Sequence, residues 1–158
     1  MIKKNFFITS SFILLTFLLD RVSKIYVIYL DKEFFGSEIL TSKFLNIRLI
    51  FNEGIAFGLF SFNEKIFYNL LTFIILIIIL IIFIIALNSY GLKKYSLLMI
   101  LGGALGNVYD RIFYGAVPDF IDFHIGNFHW FIFNVADIFI TIGVIFMILI
   151  EFTANNSK

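Results

Sequence analysis

Between Leu70 and Leu87 the sequence runs for eighteen residues with Thr72 as its only polar side chain. As a helix this stretch is about 27 Å long, close to the roughly 30 Å hydrocarbon core of a bilayer. It has no polar face to present to water, so it is expected as a lipid-facing wall that carries no chemistry of its own.

Three further apolar stretches of comparable length accompany it. Together they predict spans at about 6–30, 65–88, 95–113 and 131–151 within one integral membrane domain covering residues 1–158. Composition agrees: 61% of residues are hydrophobic, mean hydropathy is +1.00 and only 15% are charged, where soluble domains carry roughly 25%. Lys3, Lys4 and the apolar run to Leu19 have the outline of a secretory leader, but no small-x-small cleavage site follows. Asp20, Arg21 and Lys24, and then more apolar residues to Leu30, predict a retained first span.

Residues 31–64 hold five acids and three bases and are expected outside the bilayer as a cradle. Within them Leu45, Ile47, Leu49 and Phe51 alternate with Asn46, Arg48, Ile50 and Asn52, the period of a strand, ended by Asn52-Glu53-Gly54. Ser61 and Glu64 have the spacing of a capping box at the start of the second helix. The expected fold class is therefore an all-α membrane protein of four transmembrane helices with a small extracytoplasmic β-sheet. Lys3, Lys4, Lys93, Lys94 and Lys158 fall on one side of that arrangement, which predicts cytoplasmic termini.

Polar side chains inside such helices cost about 2.5 to 3.5 kcal/mol each on insertion scales, so they mark function by default. Asp20 and Lys24 share a helix face, as do Asn107 and Arg111, and Asn134 and Asp137. Gly102 and Gly106 form a Gly-x-x-x-Gly pair that admits a neighbouring helix. The four-span topology brings Asp20, Asn52, Asn107, Arg111, Asp119, Asn134 and Asp137 to one depth, the outer membrane–water boundary. Plainer roles remain open for some: a snorkelling interfacial cluster for Asp20 and Lys24, and an interhelical hydrogen bond and an anchor for Asn107 and Arg111.

A net charge of +1 without a basic cluster argues against nucleic acid as a partner, and the absence of cysteine excludes thiolate chemistry. His124 and His129 with Asp119 and Asp122 match no compact zinc spacing, so no metal is expected. No serine has a convincing base, which leaves carboxylates. Two carboxylates in a poorly hydrated site share a proton and can activate water, the chemistry of aspartyl hydrolysis. Intramembrane carboxylates can also carry protons, as in a small antiporter. Composition does not separate these two.

Five ordered motifs do. Asp20-Arg21-Val22-Ser23-Lys24, Asn52-Glu53-Gly54-Ile55-Ala56-Phe57-Gly58, Gly102 through Arg111, Val117-Pro118-Asp119-Phe120 and Phe133-Asn134-Val135-Ala136-Asp137 resemble the motifs of the bacterial lipoprotein signal peptidase family, signal peptidase II. Arg21 stands where glutamine is frequent and Ile55 where alanine is frequent, both peripheral to the aspartates. The resemblance implies a multi-pass enzyme of the bacterial cytoplasmic membrane that acts at its outer face. It would remove the signal peptide of a diacylglyceryl-modified prolipoprotein by cleaving before the lipidated cysteine. Asp119 and Asp137 would be the catalytic pair, with Asp20, Lys24, Asn52, Gly54, Asn107, Arg111, Asn134 and Ala136 around the substrate. The resemblance implies no cofactor; membrane lipids and lipidated prolipoproteins are the expected partners of a monomeric enzyme.

Overall fold

The computed structural model describes residues 2–54 and 65–155. Helices α1 (Ile2–Glu33), α2 (Lys65–Leu87), α3 (Gly91–Phe113) and α4 (Val135–Asn155) carry most of them. Strands β1 (Leu40–Thr41), β2 (Leu45–Asn52), β3 (Val117–Ile125) and β4 (Phe128–Phe133) form one antiparallel sheet in the order β1-β2-β3-β4. The sheet follows α1, then α3, and precedes α4, so it sits at one end of the helices, and the α2–α3 turn at residues 88–90 sits at the other.

Glycines set how closely the helices approach. A Cβ at Gly102 would overlap the Thr16 side chain and one at Gly106 the Asp20 carboxylate, so the Gly-x-x-x-Gly pair lies against α1. One position round the helix, a Cβ at Gly103 would fall 2.5 Å from the Ala136 carbonyl oxygen, so this face meets α4. Helix α3 is thereby wedged between α1 and α4, and near its other end Leu97, Leu98 and Leu101 pack with Ala86 of α2. The outward faces remain apolar: Phe73, Ile74, Leu80, Ile81 and Ile84 of α2 and Ile145, Ile148 and Leu149 of α4 are exposed. An apolar surface this extensive belongs in lipid.

By length and hydropathy, two segments among the described residues can cross a bilayer, Tyr68–Leu87 and Val135–Thr153. The charges of α1 and α3 lower their hydropathy, but the central ones are turned inward onto one another and are hidden from lipid.

The structure refines three sequence expectations. The expected small sheet is present and has four strands, because residues 117–133, which show no strand period, supply half of it beside the stretch at 45–52. Val117 to Phe120 are buried on both faces and so show no alternation to betray a strand. Helices α1 and α3 extend beyond the apolar windows 6–30 and 95–113, because hydropathy ends where Lys32 or Lys93-Lys94 begins while these helix-compatible residues continue the turn. Helix α4 starts at Val135 instead, after β4. The Ser61–Glu64 capping box and Ile55 to Gly58 lie outside the described residues.

Candidate active site

The first turn of α4 is closed by side chains that also carry chemistry. Asn134 is the residue before the helix; its Oδ1 accepts from Asp137 N at 3.1 Å while its own N donates to Asp137 Oδ2 at 3.1 Å. This is a reciprocal capping box with Asn at the cap and Asp at the third position. Between them, Ala136 N donates to Asp20 Oδ1 of α1 at 3.0 Å. Three backbone N–H groups at the helix entrance are thus satisfied by carboxylates and an amide, an arrangement that also suits the positive end of the helix dipole.

Because its Oδ1 caps the helix, Asn134 has Nδ2 free to donate outward, and it reaches Asp119 Oδ1 at 2.6 Å. Asp119 comes from β3, opposite Ile50 of β2. Two residues along β2, the diagonal neighbour Asn52 donates through Nδ2 to Asp119 Oδ2 at 2.9 Å. Asn52 Oδ1 in turn accepts from Gly54 N at 2.9 Å, and Arg111 donates to the Gly54 carbonyl at 3.3 Å and to the Asn107 carbonyl at 3.3 Å. Burial pushes the Asp119 carboxyl up to about 6; the nearby Asp137 adds to this, and the Asn52 and Asn134 hydrogen bonds oppose it.

Behind Asp137 lies a charge cluster sealed from solvent. Lys24 Nζ donates to Asp20 Oδ2 at 2.9 Å, Asp110 Oδ2 at 2.7 Å and Asn107 Oδ1 at 2.9 Å. The last bond fixes which way the Asn107 amide faces, so that its Nδ2 donates to Asp137 Oδ1 at 2.9 Å. Arg21 donates to Asp20 at 3.1 Å and to Asp110 at 2.8 Å, with its guanidinium over the Tyr109 ring at 4.9 Å. Two carboxylates therefore balance two cations, the condition under which ion pairs are tolerated in a dry interior.

Among the described residues, two openings reach the aspartates. One, a cleft of about 530 Å³ over the sheet, is lined by Arg48, Ile50, Asn52, Glu53, Asp119 and Trp130 among others. The other, of about 190 Å³ along α4, is lined by Phe131, Phe133, Asp137, Ile138, Thr141 and Ile142 and is almost wholly apolar.

All ten residues singled out in the sequence fall in this one network. Their positions differ, however, from a simple ring around a substrate. Asp20 and Lys24 are fully buried and Ala136 has no exposed surface, so these three touch the aspartate framework from behind. Asn52, expected around the substrate, commits its side chain to Asp119 and Gly54 N. Arg21, read as peripheral, and Asp110 are integral to the buried cluster. Their pairing spans 89 residues, and no local spacing signals it. Asp122, His124 and His129 form a separate group in the sheet, and no group of three or more His, Cys, Asp or Glu among the described residues could hold a metal.

An apolar helical bundle with two aspartates where it joins its sheet is the framework of a membrane protein that works through carboxylates. Residues 12–153 match the family described as Signal peptidase (SPase) II. The chain is 49% identical over 155 residues to a lipoprotein signal peptidase of Pelagibacter ubique (strain HTCC1062), covering 98% of this chain and 93% of that one. It is 41% identical over 118 residues to a lipoprotein signal peptidase of Francisella tularensis subsp. novicida (strain U112), with 72% and 73% covered. A bacterial membrane enzyme solved by the in meso method at 2.3 Å resolution superposes with a TM-score of 0.74 at 31% identity, over 95% of this chain and 90% of that one. A second such structure, at 1.9 Å, gives 0.67 at 29% identity over 90% and 91%. The chain belongs to the signal peptidase II family.

Proposed function

We propose that this protein is an aspartic endopeptidase that removes the signal peptide from diacylglyceryl-modified prolipoproteins, cleaving before the lipidated cysteine. The observation that carries the assignment of its site is the Asn134 side chain, which binds Asp119 and caps the turn holding Asp137. Two carboxylates held by one residue, Asp119 by the Asn134 side chain and Asp137 by its backbone N–H, cannot both ionise in a poorly hydrated site, so the pair shares one proton. The ionised member takes a proton from water, which attacks the scissile carbonyl, while the protonated member gives its proton to the carbonyl oxygen. The gem-diol then collapses, breaking the C–N bond as the first member passes its proton to the leaving nitrogen and the second takes one back from a hydroxyl. Asn107, oriented by Lys24, holds Asp137, Asn52 and Asn134 hold Asp119, and Arg111 anchors the Gly54 turn beside them.

Helices α1 to α4 each cross the membrane, with both termini and the α2–α3 turn cytoplasmic and the sheet at the outer face. The inward-turned charges of α1 and α3 support this, as do Lys93 and Lys94 at the turn. The apolar opening beside Asp137 gives a lipidated substrate a lateral route from the bilayer. The test is cleavage by the purified protein in detergent: a lipidated lipoprotein precursor is cut and its unlipidated form is not. Equal cleavage of both would remove the lipid requirement, and proton-coupled solute uptake without cleavage would favour a transporter.

A further inference from the structure

One buried carboxylate in the sheet has no part in the mechanism above. Asp122, on the central strand β3, has no exposed surface, yet it binds a side chain on each neighbouring strand. Arg48 Nε of β2 lies 3.1 Å from its Oδ2, and His129 Nδ1 of β4 donates to it at 3.0 Å. The carboxylate orients His129 through a hydrogen bond, with the His124 ring stacked on it at 4.9 Å, and holds Arg48 by an ion pair, while the far edges of both heads make no hydrogen bond among the described residues. The arginine Nη groups remain as donors, and the imidazole bonded through Nδ1 keeps Nε2. The Arg48 and His129 side chains are 39% and 43% exposed, and both line the cleft that reaches Asp119.

The position along the sheet gives this pair a register. Ile50 is the cross-strand partner of Asp119, and Arg48 lies two residues before it on β2, in the bulge between Ile47 and Ile50. An unbroken strand rises about 3.3 Å per residue, so the bulge keeps Arg48 within about 7 Å of Ile50, no more than two residues of an extended chain. The direction follows from the two openings. The apolar one beside Asp137 runs along α4, whereas the cleft lies over the sheet, beyond the apolar helices. On the topology proposed above, a chain leaving the bilayer after the scissile bond would pass over the sheet. The charges in the cleft are also segregated: Glu53 and Asp119 lie toward the Asn52 end, and Arg48 and His129 lie farther along.

We propose that Arg48 and His129, held by Asp122, form a subsite for the second or third residue after the lipidated cysteine, which selects acidic side chains there. Arg48 pairs with the substrate carboxylate, and His129 Nε2 accepts a backbone N–H. A lysine at the same place meets the guanidinium and is disfavoured. The inference rests on the activity proposed above.

The test uses the full-length protein and lipidated precursor peptides that differ only in carrying Asp, Asn or Lys at those two positions. The kcat/KM ratio of Asp to Lys precursors is expected at about fivefold to tenfold, the scale of one partly exposed ion pair. It should fall to near one in Arg48→Gln and invert in Arg48→Glu, and Asp122→Asn should weaken it. A wild-type protein that cuts all three precursors equally overturns the subsite and leaves the peptidase assignment standing. A wild-type protein that cuts none overturns the peptidase assignment itself. A ratio unaltered by either Arg48 variant would assign the preference elsewhere and likewise overturn the proposal.

Discussion

Asp119 and Asp137, on a strand and a helix, are joined through a single intervening side chain: Asn134 donates to the first at 2.6 Å and caps the turn that holds the second. Its two functions can be pulled apart. Serine is about as good a cap as asparagine but cannot reach Asp119. Asn134→Ser should therefore keep stability within about 1 kcal/mol, while cleavage falls about a hundredfold through misplacement of one carboxylate. Asn134→Ala should lose the cap as well and unfold at lower temperature. Equal melting temperatures for the two variants would show that the cap contributes nothing.

Gly103 is where α3 meets α4. An added Cβ would sit 2.5 Å from the Ala136 carbonyl oxygen and 2.9 Å from Ile140 Cγ1, and the first of these is backbone that cannot swing aside. Gly103→Ala should cost about 1 to 3 kcal/mol, the range for overpacking, and draw Asn107 away from Asp137 one turn along. Thermal unfolding and cleavage should both fall. An unchanged melting temperature would contradict so close a helix approach.

The raised Asp119 carboxyl predicts a pH-dependent stability difference. Its folded value of about 6 exceeds the ordinary 3.8, so the native state favours the protonated form. The associated stability is fully present below pH 3.8 and is lost as pH rises through 6. Asp119→Asn, which cannot ionise, should therefore gain on wild type between pH 4 and pH 8, by up to about 3 kcal/mol. Any constant cost of the substitution cancels in that comparison. A difference flat with pH would mean that Asp119 titrates normally.

Topology is tested by fusion. A reporter active only outside the cytoplasm should work when joined near Ser37, after α1, and be silent near Gly91, at the start of α3. The reverse pattern would turn the protein over in the membrane.

How much of this was visible in the sequence depended on the range of each interaction. The stretch from Leu45 to Asn52 matches β2 in extent, because a strand's period is a local property, but a bulge between Ile47 and Ile50 breaks the alternation, and Asn46 is buried while Phe51 is exposed. The partners β3 and β4 were hidden, since burial on both faces removes alternation from Val117 to Phe120 and Pro118 reads as a loop signal. Asn134 and Asp137 were legible as a shared face, but their reciprocal backbone bonds were not, because the helix start had been placed four residues early. Arg21 carried no signal at all. Its meaning comes from Asp110, which only the packing of α1 on α3 brings near.

The most direct measurement is single-turnover cleavage of a lipidated precursor by wild type, Asp119→Asn and Asp137→Asn, each with its melting temperature. The amides are close in shape to the carboxylates but cannot take a proton from water. Cleavage should be lost in both variants while each still melts cooperatively as a folded protein. Retention of wild-type cleavage by either variant would contradict the aspartate pair as the catalytic centre.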